Sequence, residues 1–203
     1  STIAHGFVKA IDTSEAEAIP GVVKVLTCFD VPDIEFPTAG HPWSTDPAHQ
    51  DVADRKLLNR HVRYYGDDVA AVIAEDEVAA VQALRAIRVE YEELPFVLDA
   101  QEAMKEVAPQ IHEGCKNNIL AHSDVRRGNY EAARQEPGLI KVEGWYDTPT
   151  VQHCHIENHG CFAYQEAGRV VVVTSTQIPH IVRRVVAQAL GLPWGKVRII
   201  KPY

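Results

Sequence analysis

The sequence has no Cys-x-x-Cys pair, no apolar run near the roughly 20 residues that a bilayer-crossing helix needs, and no Gly-x-Gly-x-x-Gly or Gly-x-x-x-x-Gly-Lys loop. Each absence removes a class of function. Cys28, Cys115, Cys154 and Cys161 lack the spacing of iron–sulfur ligands, and a chain of 203 residues can build a core without a disulfide framework, so a reducing, cytoplasmic setting is expected. Without a glycine-rich phosphate cradle there is no case for NAD, FAD or ATP on this chain. Without a Gly-x-Ser-x-Gly elbow no serine stands out as a nucleophile. Nothing suggests a membrane span or a charged-then-apolar leader; Ser1 stands where an initiator Met is usual, so sequence upstream of it is expected. Acidic residues outnumber basic ones 28 to 20, and the formal charge of -8 repels a phosphate backbone, which argues against nucleic acid.

What is present is a globular pattern, 46% apolar, in which short apolar runs alternate with amphipathic stretches. Ile3 to Ile11 and Val22 to Leu26 read as strands, with a short helix capped by Ser14 between them and the turn Pro20-Gly21 before the second. His41 to Asn59 reads as an irregular connection. Val69 to Ala74 follows the Gly66-Asp67 turn as a buried strand. A helix then opens on Glu75, Asp76 and Glu77, where the helix dipole favours acids, with Val78, Ala80, Val81 and Leu84 as its apolar stripe. Ile87, Val89 and Tyr91 alternate as in a strand. The stretch from Pro95 to about Arg127 is weakly periodic and reads as a crossing between two units, with the boundary placed between 118 and 119. Beyond it, Ile140 to Tyr146, Gly160 to Tyr164 and Arg169 to Thr174 read as strands. A helix with Ile181, Val182, Val185, Val186, Ala189 and Leu190 on one face is stopped by Gly191 and Pro193, and Val197 to Ile200 starts a further strand. The fold class expected is α+β.

Two clusters could carry chemistry. Gln152-His153-Cys154-His155-Ile156-Glu157-Asn158-His159 places three His, one Cys and one Glu in eight positions. In an extended strand His153, His155, Glu157 and His159 would share a face and could bind zinc or iron, or they could serve hydrogen-bond networks at a domain seam. Ser175-Thr176-Gln177 sits between an apolar strand and an amphipathic helix, where backbone amides are free and a Gln side chain adds a donor and an acceptor; Ser and Thr there also suit a cap. Arg183-Arg184 reads as a solvated helix face or an interface contact.

Several segments resemble a known family. Pro20 to Val25 with Asp30-Val31-Pro32, His61 to Asp67 leading into Val69 to Ala74, and Val89-Glu90-Tyr91-Glu92-Glu93-Leu94-Pro95 are similar to the α/β hammerhead domain of the xanthine dehydrogenase and aldehyde oxidase family. Gln152 to Glu157, Thr174 to Gln177 with its helix, and Leu192 to Lys201 resemble the opening of the molybdopterin-binding domain that follows. The wording of Thr176 to Leu190 is most like the bacterial three-subunit xanthine dehydrogenases. The resemblance implies a hammerhead domain over 1–118 and the N-terminal part of an α+β molybdopterin domain over 119–203. Asp68 departs from it, standing where the family often has Pro.

The resemblance also implies function. The parent would carry the molybdenum cofactor and hydroxylate a purine, related heterocycle or aldehyde, with iron–sulfur clusters and FAD on partner subunits. Gln177 corresponds to the family glutamine whose amide hydrogen-bonds the molybdenum centre. Gln152 and Glu157 end a Gln-x-x-x-x-Glu segment that supplies no molybdenum ligand, and Glu157 would be a buried structural carboxylate. The glycine-rich loop and the glutamate base of the family would lie beyond Tyr203, so the chain is expected to hold no catalytic residue and to need the remaining part of the molybdenum subunit for turnover. The alternatives are a non-catalytic hammerhead interaction module and a His-cluster metalloenzyme.

Overall fold

The computed structural model describes residues 1–36, 55–120, 122, 124–149, 151 and 154–202. Most of the irregular connection expected over His41 to Asn59 lies outside the described residues. The chain divides into two compact units, Ser1–Ala121 and His122–Tyr203.

In the first unit, β1 (Gly6–Asp12) lies between the two-residue strand β3 (His61–Val62) and β5 (Arg88–Glu93), antiparallel to both. The register against β5 shifts between Val8 and Ala10, which lets Lys9 bulge outward while Val8 stays fully buried. Val8, Val62 and Val69 form the core here, with Ile3, Ile11, Val89 and Tyr91 around them. Each such valine contributes about 1.5–3 kcal/mol by leaving water. A second, two-stranded antiparallel sheet joins β2 (Val22–Thr27) to β4 (Ala70–Ala74), and the single-turn helix α1 (Ser14–Glu17) packs on α2 (Glu77–Ala86) beside it.

Helix α2 is capped where the acids stand: Asp76 accepts the Ala79 amide at 2.8 Å. Its buried face, however, is the opposite of the expected one. Ala79 and Ala83 are in the core, whereas Val78, Val81 and Leu84 are 67%, 39% and 54% exposed. Close approach decides this. A Cβ added at Gly21 would lie 3.2 Å from the Ala79 Cβ, so only the small side chains let α2 reach the turn and the β2–β4 sheet.

The Gly66-Asp67 turn is more than a change of direction. Asp67 is buried; its Oδ1 accepts the Asn59 side-chain amide at 2.7 Å and its Oδ2 accepts the Arg63 amide at 3.2 Å. Asn59, also buried, accepts the Lys56 amide at 3.0 Å and ties the stretch before β3 to that turn. Asp67→Ala would strand the Asn59 donor, so a loss of about 1–3 kcal/mol is expected in urea unfolding, with Asp67→Asn losing less. Equal stability of Asp67→Ala and the parent chain would show that this network is dispensable.

The second unit is a three-stranded sheet ordered β6 (Cys161–Glu166), β7 (Arg169–Thr174), β8 (Val197–Ile200). β6 and β7 form an antiparallel hairpin whose two loop residues, Ala167 and Gly168, both have positive φ, the geometry that suits a tight two-residue turn. β7 and β8 run parallel and are joined through α5 (Pro179–Ala189). Gly191, at φ 63°, ends α5, and Leu192 N–H closes the turn on Ala187 O at 2.9 Å. The strand expected over Ile140 to Tyr146 is not formed. Those residues pair with no strand among the described residues, and Ile140, Val142 and Trp145 are almost fully exposed, because alternation makes a strand only where another edge is there to pair with. Short helices α3 (Ala100–Ala103) and α4 (Tyr130–Ala133) punctuate the crossing instead.

Candidate cofactor-binding site

The site with the clearest chemical potential is the joint between β7 and α5. β7 is an apolar strand with Val171 fully buried, and it delivers Thr174 to the end of the sheet, where the Thr174 hydroxyl donates to Gly160 O at 3.2 Å. The chain then turns through Ser175, Thr176 and Gln177. Thr176 Oγ1 accepts the Ile178 amide at 3.2 Å, and Pro179 opens the helix. Pro at the first helical position needs no partner for its nitrogen.

Three features leave this joint open to a ligand. Ile178, the residue at the helix start, supplies no side-chain cap; Pro179 has no N–H and the Ile181 amide bonds the Ile178 carbonyl at 3.2 Å, which leaves the His180 amide as the first-turn donor without a described partner. The first turn also contains no carboxylate that would repel an acceptor. Gln177 is exposed, and its side-chain amide makes no hydrogen bond within the described residues. An amide in that position can donate to, and accept from, a polar group placed beside the joint. These residues fit a cofactor rich in acceptor atoms.

The His cluster behaves differently. Gln152 and His153 lie outside the described residues. Cys154 to Gly160 form neither helix nor strand, the His155 and His159 rings lie tilted with centroids 4.7 Å apart, and Glu157 is exposed. The expectation of a buried Glu157 is therefore corrected: nothing among the described residues covers that stretch. Among the described residues no three His, Cys, Asp or Glu side chains gather as a metal site. Arg183 and Arg184 are half-buried rather than solvated, and the Arg183 guanidinium lies 5.9 Å over the Trp194 ring.

A polar site in the first unit was not anticipated. His5 is buried, with Nδ1 2.7 Å from Pro95 O and Nε2 3.1 Å from His61 Nε2. A carbonyl only accepts, so His5 Nδ1 donates to Pro95 O, and in the His5–His61 contact one ring nitrogen donates to the other. His61 lines a cleft of about 740 Å³ with Lys9, Arg60, Arg63 and Glu92 among its walls. The pairing of Phe7 with His61 across β1 and β3 brings the rings together. Residues 56 positions apart give no local signal of this.

The four thiols separate by environment. Cys154 and Cys161 are exposed, Cys115 is buried, and burial pushes the Cys28 thiol above its ordinary range. Alkylation of the native chain near neutral pH, followed by mass spectrometry, should label Cys154 and Cys161 first; early labelling of Cys28 would contradict its placement.

Comparison with known proteins decides what the joint belongs to. Residues 1–95 match the aldehyde oxidase and xanthine dehydrogenase a/b hammerhead domain, and residues 111–203 match the molybdopterin cofactor-binding domain. The chain belongs to the xanthine dehydrogenase and aldehyde oxidase family. It is 46% identical to the xanthine dehydrogenase molybdenum-binding subunit of Escherichia coli O157:H7, over all of this chain and 27% of that protein. It is 35% identical to the nicotinate dehydrogenase large molybdopterin subunit of Eubacterium barkeri, over 99% of this chain and 44% of the relative. Among solved structures, the aldehyde oxidoreductase of Desulfovibrio desulfuricans ATCC 27774 superposes with a TM-score of 0.83 at 31% identity, covering 98% of this chain and 22% of that one. The chain thus spans about a quarter of the length of the first of these relatives. The α+β architecture of a hammerhead domain followed by the start of a molybdopterin-binding domain agrees with the family assignment. The β7–α5 joint falls within the molybdopterin-domain match, and the His5–His61 pair within the hammerhead match.

Proposed function

We propose that this chain works as the first part of the molybdenum-cofactor subunit of a xanthine dehydrogenase-like hydroxylase, and that Gln177 contacts the cofactor. The observation that carries this reading is the exposed, unengaged Gln177 amide on a strand-to-helix joint inside the molybdopterin-domain match. Bound molybdopterin would supply the redox chemistry that hydroxylates a purine or related heterocycle, or an aldehyde. The chain's own task is positional. Gln177 donates its amide N–H to the cofactor, and the β7–β8 sheet holds the joint in place.

The same reading assigns residues 1–118 to the hammerhead domain and 119–203 to the cofactor domain, in a cytoplasmic enzyme whose iron–sulfur clusters and FAD sit on partner subunits. Among the described residues no helix is long and apolar enough to cross a membrane. The test is to purify a longer polypeptide containing these residues with its partner subunits. Bound molybdenum together with oxidation of a purine is expected; full molybdenum loading with no oxidation of any purine, heterocycle or aldehyde would sink the proposal.

A further inference from the structure

His5 and His61 meet through one ring nitrogen each, with Nε2 3.1 Å from Nε2, ring centroids 5.2 Å apart and ring planes at 28°. A contact between two ring nitrogens holds one hydrogen: with none, two lone pairs oppose each other, and with two, the N–H groups collide. His5 Nδ1 already carries its own hydrogen, committed to Pro95 O at 2.7 Å. The closed pair therefore admits one added proton at most, whichever ring holds it, whereas two separated rings take two.

The pair sits where three parts of the first sheet are tied together. His5 precedes β1 and is buried; its carbonyl accepts the Leu94 amide at 3.0 Å and its ring holds Pro95 O, so one residue grips both residues that follow β5. His61 opens β3 opposite Phe7, and the two ring centroids lie 4.4 Å apart. We propose that the His5–His61 contact is a pH-sensitive latch, which joins β3 and the chain leaving β5 to the start of β1 and opens when both rings take a proton.

The surrounding charges balance. Bordering the cleft beside His61 are Lys9 of β1, Arg60 and Arg63 on either side of β3, Glu92 of β5, and Lys56, Glu35 and Glu113 from the connections; Glu93 stands opposite Gly6. Cations and carboxylates are equal in number, so neither sign alone recruits or excludes the second proton. Tyr91, opposite Val8, titrates far above the histidine range, and burial pushes it further. Both rings belong to the unit Ser1–Ala121, and the one-hydrogen limit is set by two of its atoms, whatever lies across the cleft.

Proton counting gives the direction of the response. Above about pH 6.5, the ordinary value for histidine, neither form takes up the second proton and the latch holds. As pH falls through that range, the separated rings bind two added protons and the closed pair one. The surplus of one proton favours the open form about tenfold for each further pH unit.

The test uses the 203-residue chain isotopically labelled in histidine nitrogen. In neutral solution a scalar coupling between the two Nε2 nuclei, transmitted through the shared hydrogen, is expected; two assigned rings without it would overturn the latch. Amide exchange, corrected for the intrinsic rate at each pH, reads the response. The Leu94 amide on His5 O and the Val8 amide on Arg60 O, at 2.8 Å, report the two ties. Their opening should rise about tenfold between about pH 7.5 and 5.5, while the Glu75 amide, bonded to Gly21 O, keeps its protection. Equal acceleration at Glu75 would mean that acid loosens the whole unit, and none at Leu94 or Val8 would mean that the pair has no pH response; either overturns the proposal. His61→Gln isolates the pair, because an amide can donate to a neutral His5 or accept from a charged one. The pH step should vanish in that variant, and a step of unchanged size would assign it to other groups. If His61→Gln fails to fold, the coupling and the exchange of the unsubstituted chain still decide.

Discussion

Gln177→Ala, made in a longer polypeptide that binds molybdenum, is expected to lower turnover roughly 10–100-fold while shifting the melting temperature by no more than about 2 °C. The asymmetry follows from position. Gln177 is exposed and hydrogen-bonds to no described residue, so truncating it removes nothing from the core. What it removes is an uncommitted amide donor between the strand end and a helix start that has no side-chain cap. Gln177→Glu sharpens the test, because it keeps the size and one acceptor but loses both N–H donors. If donation is the function, Glu should be as poor as Ala; if Glu restores turnover, the residue serves as a spacer. An unchanged rate in Gln177→Ala with full molybdenum loading would remove Gln177 from the site. A large melting shift with no kinetic defect would do the same by making the role structural.

This joint was legible because its signals are local. A run of four valines, a polar triplet, a Pro at the helix start, 3.6-residue periodicity and a Gly-Leu-Pro stop all occur within the span of one strand–helix unit, and β7, α5 and β8 formed within two residues of the expected bounds. The failures share a different cause. The stripe on α2 was read by size, yet the burial of Ala79 and Ala83 depends on how near the Gly21 turn approaches, which only tertiary structure determines. Ile140 to Tyr146 alternates well, but alternation states which face could be buried, not whether a neighbouring strand exists. The His5–His61 pair and the Asp67–Asn59 bond likewise depend on strand register and turn geometry. The hammerhead core therefore follows from patterning, while its polar interior follows from pairing.

That dependence on pairing makes Gly6 the position where the fold is most exposed to a single methylene. β1 is the central strand of its sheet, and a Cβ at Gly6 would stand 2.2 Å from Glu92 O on β5 and 2.8 Å from the Ile3 side chain. The first contact is with backbone, which cannot swing aside as a side-chain end can. Gly6→Ala must push β5 away, and the displacement would strain the Leu94 N–H to His5 O bond of 3.0 Å and the His5–Pro95 contact beyond it. A loss of about 3 kcal/mol is expected in denaturant unfolding of the chain. Gly66→Ala is the matching control, since Gly66 has φ of 89° but open space around its would-be Cβ. Only left-handed backbone strain is at stake there, about 1–2 kcal/mol. If the two substitutions cost the same, or if Gly6→Ala costs less, β1 and β5 do not approach as closely as the structure places them, and the shared origin of the hammerhead core and its buried histidine would have to be abandoned.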